Sequence, residues 1–208
     1  MNALDSKFYE VVDRLSNLFI LNILWVVSCI PIITIIPATS AMFGVVRQWK
    51  LHQDTSVVRN YFRFFKENFR ESFLTGIFFT LFSVILFFNY FYLNQDETPI
   101  KFLIITPLLL ISLLFMCTIS FLFSILVHYK VTWKNAIKNS LLVSIVNFPT
   151  TLSILIVQII LIIILIYLPA TSLIIFSTGA YINFSLCYRV FRKIEKSNIN
   201  NHQQVKSI

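Results

Sequence analysis

Four stretches of this 208-residue chain contain no Asp, Glu, Lys, Arg or His: Leu15 to Val46, Ser72 to Gln95, Phe102 to Val127 and Asn139 to Tyr188. Each is at least as long as the roughly 20 apolar residues that cross a bilayer, and the last has room for two crossings. A chain built this way folds in lipid. The pattern predicts an all-α polytopic membrane bundle of about five transmembrane helices, with a proline-broken N-terminal segment and one cytoplasmic amphipathic helix.

Composition bounds what the bundle can do. Charged residues make up 12% of the chain, about half the share of a soluble domain. No linker, low-complexity tract or repeat divides residues 1–208, which read as a single transmembrane domain. The residues that usually carry enzyme chemistry are the ones excluded from the spans. An ionisable group inside a membrane marks a functional site by default, so their absence weighs against a proton-coupled carrier and against hydrolysis within the bilayer. No nucleophile elbow, phosphate loop, H-E-x-x-H or paired carboxylate occurs. The expectation is a protein that is not an enzyme and needs no cofactor. Cys29, Cys117 and Cys187 sit singly in apolar runs, as buried small hydrophobes do, without zinc-site or redox spacing. His52 and His128 have no second ligand nearby in sequence, so no metal is indicated.

The segments follow from the blanks. Residues 1–14 mix acidic and basic charges, Asp5, Lys7, Glu10, Asp13 and Arg14, unlike a secretory signal, so the apolar run behind them reads as retained in the membrane. Membrane helices are expected over 72–93, 102–127, 141–167 and 171–188, with a tight turn at Leu168-Pro169-Ala170. Residues 15–46 carry Pro31 and Pro37 in their middle. Proline inside a helix loses a backbone bond and clashes one turn back. The segment is therefore either one helix to about Ile30 with an extended exit, or two short helices meeting at the prolines. Pro149 should kink the 141–167 helix by freeing the carbonyl of Ile145.

Basic residues orient the bundle. Arg47, Lys50, Arg59, Arg63, Lys66 and Arg70 fill one connection, Lys130, Lys134 and Lys138 another, and Arg189, Arg192, Lys193, Lys196 and Lys206 the tail at 189–208. By the positive-inside rule these three are cytoplasmic, and the C-terminus with them. The side of Met1 depends on whether 15–46 crosses once or doubles back. The net charge of +8 then faces anionic lipid, worth about 1 kcal/mol per basic residue near the surface. No stacking platform or groove-reading motif points to nucleic acid.

Within the first basic connection, Val58, Tyr61, Phe62, Phe65 and Phe69 recur at helical spacing, with Arg59, Arg63, Lys66 and Arg70 on another face. Asp54, Thr55 and Ser56 could cap its start. The segment 55–71 thus reads as an interfacial helix whose basic residues meet lipid or a partner protein. In the spans, Asn22, Asn89, Asn147, Gln158 and Asn183 read as hydrogen-bonding glue between helices. Small residues four apart, such as Ser40 and Gly44 or Ser72 and Gly76, mark close helix approaches.

Asn22-x-Leu24-Trp25, Pro31-x-x-Thr34, Pro37-Ala38-Thr39-x-Ala41-Met42-Phe43 and Val46-Arg47 resemble the N-terminal signature of the YesL-like bacterial membrane proteins, a numbered domain of unknown function. Phe62-x-x-Phe65-Lys66-x-Asn68-Phe69 is similar to that family's aromatic and basic helix. Where the family often has Gly before the second proline, this chain has Ile36. The resemblance implies a multi-pass protein of the bacterial plasma membrane, from a family often encoded beside sugar-uptake systems and polysaccharide-degrading enzymes. It carries no catalytic residues. It makes Asn22, Trp25, Pro31, Thr34, Pro37, Thr39, Ala41 and Arg47 the candidates for a site or a structural keystone. An accessory or regulator of a carbohydrate permease is the leading reading. A small transporter or channel using the proline break is the alternative.

Overall fold

The computed structural model describes residues 3–52, 56–95 and 101–206. Asp54 and Thr55 of the expected cap, and Asp96 and Glu97, lie outside them. The described chain is a helical bundle, as the charge-free stretches predict. Its helices are α1 (Ala3–Ser28), α2 (Ile35–His52), α3 (Val57–Gln95), α4 (Lys101–Tyr129), α5 (Trp133–Val146), α6 (Phe148–Tyr167) and α7 (Ile175–Lys206), with 3-10 turns at Ile32–Thr34 and Pro169–Leu173. Among the described residues, four segments are long and apolar enough to cross a membrane: Ile32–Leu51, Val57–Gln95, Lys101–Tyr129 and Phe148–Tyr167.

The expected crossing 171–188 falls short of that measure of length and composition. The segment begins in a 3-10 turn, so its uncharged helix runs only from Ile175 to Tyr188, about 21 Å at 1.5 Å per residue. A hydrocarbon core is about 30 Å thick. Its basic end nonetheless lies beside Lys50 at the end of α2, so α7 runs back through the bundle to the side that α2 reaches.

Two expected boundaries move. The interfacial stretch 55–71 and the crossing 72–93 form one unbroken helix, α3. No turn separates them at which the basic stretch could fold flat. Of its expected apolar face, Tyr61 is buried against α2 residues together with Phe64, whereas Val58, Phe62 and Phe69 stay exposed. The expected helix 141–167 splits rather than kinks, at Asn147 (φ −107°, ψ 44°). Pro149 cannot donate to Ile145, so α5 ends and α6 restarts with the proline in its first turn, where no donor is needed.

The core lies where α2 meets α3, α4 and α7. Leu21, Ala41, Met42, Phe43, Val45, Val46, Tyr61, Phe64 and Phe184 are buried in one cluster. Two glycines set the α2–α3 approach from opposite sides. A Cβ on Gly44 of α2 would lie 2.7 Å from the Phe64 ring, and one on Gly76 of α3 would lie 3.0 Å from Ile36. This is the close packing that small residues permit in membranes. The outer halves of α3 and α4 and most of α6 expose Ile, Leu and Phe, the surface a bilayer covers.

Candidate functional site

The signature residues gather mostly at the break between α1 and α2. The chain leaves α1 at Ser28, passes Pro31 in extended backbone (φ −75°, ψ 114°) and re-enters helix through Ile32–Thr34. This is the second of the two sequence alternatives, two helices meeting at the prolines. Carbonyls freed by the break need donors, since no water reaches them in lipid. Thr34 supplies one: its Oγ1 lies 2.5 Å from the Ser28 carbonyl and 2.6 Å from that of Pro31.

Thr39 does the same one turn into α2. Its Oγ1 donates to the carbonyl of Ile35 at 2.7 Å and accepts from Trp25 Nε1 at 3.1 Å. The Trp25 ring also packs on Phe176 of α7, with centroids 4.7 Å apart. Asn22, almost fully buried, donates from Nδ2 to the carbonyl of Ser172 at 2.7 Å. Pro37 and Ala41 are buried beneath this network. Asn22, Trp25, Thr34 and Thr39 therefore form a clasp joining α1, α2 and the start of α7.

Arg47 is not part of the clasp. It lies about 12 Å further along α2 than Thr39 by helical rise, half-buried, with Nε enclosed and unbonded. Arg59, Arg63, Lys66 and Arg70 are exposed on α3. Arg63 has Glu67 at 4.0 Å and the Phe64 ring at 4.8 Å. Thus the structure engages the side chains of four of the eight signature residues in hydrogen bonds, and the carbonyl of Pro31 with them, and leaves Arg59, Arg63, Lys66 and Arg70 on open surface.

The same device recurs at other prolines. Thr151 Oγ1 donates to the carbonyls of Ser144 and Asn147 at 2.7 and 3.2 Å, below Pro149. Thr171 Oγ1 donates to Leu168 at 2.7 Å, beside Pro169. Pro-x-Thr at 37–39, 149–151 and 169–171 is a pattern visible in the sequence, and composition-based reading passed over it.

Residues 18–90 match the family model described as "Protein of unknown function, DUF624". Over 194 residues the chain is 27% identical to "Uncharacterized protein YteU" of Bacillus subtilis (strain 168), covering 91% of this chain and 86% of that relative. It is 28% identical over 140 residues to "Uncharacterized protein YesL" of the same organism, covering 67% of this chain and 66% of that relative. Over 107 residues it is 28% identical to "Uncharacterized protein YesV" of that organism, covering 51% of each. The chain resembles the YesL-like proteins. No solved structure matches it.

The family match takes in every signature residue, all of α2 and most of α3. It leaves out α7, where sequence reasoning missed a second grouping. Arg189, Arg192, Lys193 and Lys196 were counted there as charges of a tail. In the structure they line one cavity of about 490 Å³ together with Ser185, Tyr188 and Lys50 of α2. The signal was their spacing of three and four residues, which places them on one helix face.

Proposed function

We propose that this protein is a non-enzymatic accessory or regulatory partner of a carbohydrate-uptake permease in the bacterial plasma membrane, with its C-terminus in the cytoplasm. One observation carries the reading. The polar side chains at the proline break, the part best suited to hold a solute, are engaged by the chain's own backbone: Thr34 by Ser28 and Pro31, Thr39 by Ile35, and Asn22 by Ser172 through Nδ2, with Oδ1 enclosed and unbonded. Groups so occupied hold helices together. Basic surface open to other molecules remains on the exposed side of α3 and at the end of α7.

The orientation rests on the positive-inside rule, and the choice of a carbohydrate permease rests on the YesL-like resemblance. Arg59, Arg63, Lys66 and Arg70 are the residues assigned to the partner or to anionic lipid. The test is purification of the tagged full chain from its native membrane in mild detergent. A carbohydrate permease subunit should co-purify and be lost on replacing those four residues by Gln. Recovery of the chain alone, together with solute uptake by proteoliposomes containing only this protein, would replace the accessory role with that of a transporter.

A further inference from the structure

We propose that the groove between the end of α2 and the basic face of α7 binds the phosphate of an anionic phospholipid headgroup. The groove is built from Lys50 on one side and Ser185, Tyr188, Arg189, Arg192, Lys193 and Lys196 on the other. Five cations line it and no carboxylate does. The nearby acid Glu195 is turned to His128, with Oε1 and Nε2 3.3 Å apart. Cations held this close repel one another unless an anion sits between them, and arginine forks bind phosphate oxygens in pairs.

The groove has features of a site as well as of a charged surface. Its volume of about 490 Å³ falls in the range of roughly 300–1,000 Å³ typical of small-ligand pockets. Ser185 Oγ is enclosed and has no hydrogen-bond partner, leaving a hydroxyl to donate to a phosphate oxygen. Lys50 is held from the other side, its Nζ 5.5 Å from the centroid of the Tyr181 ring, one helical turn before Ser185. Tyr188 is fixed by stacking on Phe184 at 6.1 Å and 12°.

A phosphate could come from a lipid or from a soluble ester, and position favours the lipid. The uncharged part of α7 ends at Tyr188 and its first charge is Arg189, so the groove stands where the apolar helix surface gives way to polar surface. An aromatic residue beside cations at that level is the arrangement of an interfacial headgroup site. This inference is independent of the permease reading, because it needs only the groove and its place at the end of the apolar helices.

The experiment is native mass spectrometry of the full chain in neutral detergent, titrated with phosphatidylglycerol, phosphatidylcholine or sn-glycerol 3-phosphate. Phosphatidylglycerol should bind in preference to the other two. Arg189→Gln combined with Arg192→Gln should weaken it at least about tenfold, on the scale of about 1 kcal/mol per basic residue. Lys50→Gln alone should weaken it severalfold. Lys134→Gln with Lys138→Gln, removing the same charge from exposed positions on α5, should change affinity less than about threefold. Equal losses in both double variants would replace the groove with a diffuse basic surface and overturn the proposal. Equal binding of phosphatidylcholine would overturn the anionic headgroup, and equal binding of glycerol phosphate would overturn the lipid source.

Discussion

The Thr34 hydroxyl lies 2.5 Å from the carbonyl oxygen of Ser28, bridging the break that separates the first two helices. The valine isostere keeps the shape and removes the donor. Thr34→Val should therefore lower thermal stability in detergent by roughly 0.6 to 2 kcal/mol, while Thr34→Ser should stay near the parent. Activity, where it can be assayed, should fall only in proportion to folded protein. A Thr34→Val protein that is stable and correctly inserted yet inactive would make this hydroxyl part of a solute site.

The sequence made the bundle readable because lipid imposes one rule, uncharged helix over about 20 residues, on every crossing. It also placed the prolines and asked for two helices or one between Leu15 and Val46. Which of the two forms was beyond it, because the choice depends on contacts with distant chain, such as Trp25 with Phe176 and Asn22 with Ser172. The joining of 55–71 to the next helix was hidden for a related reason. Tyr61 and Phe64 look the same whether they face lipid or α2. The α7 groove was half legible: its spacing lay in the sequence, but Lys50 comes to it from α2.

Gly44 offers a direct test of the α2–α3 packing. An added Cβ would meet three atoms of Phe64 at 2.7 to 2.9 Å, and both residues lie in the buried cluster or on its helix face. Gly44→Ala should destabilise by about 1–3 kcal/mol, the usual cost of overpacking. Phe64→Leu, which withdraws the ring, should recover part of that loss in the double variant. Additive losses in the double-mutant cycle would show that the two residues do not meet.

Two interactions near the start of α5 should differ in strength although both involve a glutamate of α3. Glu71 Oε2 accepts from the backbone N–H of Trp133 at 2.8 Å, satisfying a helix N-terminus in a partly buried place. Such a charge-assisted bond is worth about 1.5–3 kcal/mol, so Glu71→Ala should lower the melting temperature clearly. Glu67 and Lys130 pair at 3.4 Å in the open, with side chains 42% and 61% exposed, and exposed pairs contribute about 0–1 kcal/mol. Lys130 also holds a left-handed φ of 48°, which glycine adopts without strain. Lys130→Gly should therefore be neutral or stabilising despite losing the pair. A loss of stability in Lys130→Gly as large as in Glu71→Ala would contradict this ranking.

The orientation of the bundle can be read by cysteine labelling in intact cells, after Cys29, Cys117 and Cys187 are replaced. Single cysteines at Lys66, Lys134 and Lys193 should be protected from an impermeant reagent, and one at Asn94 should react, if the basic connections are cytoplasmic. The clasp adds a position that the charge pattern left open. Trp25 bonds to Thr39, and Leu21 shares a buried cluster with Val45 and Val46, so α1 doubles back along α2 instead of leading away from it. Val12, exposed on α1, should then lie on the same side as Lys66 and be protected with it. Reaction at Lys66 with protection at Asn94 would invert the bundle. Reaction at Val12 with protection at Lys66 would mean that α1 crosses alone, and would set the hydrogen bond between Trp25 and Thr39 aside.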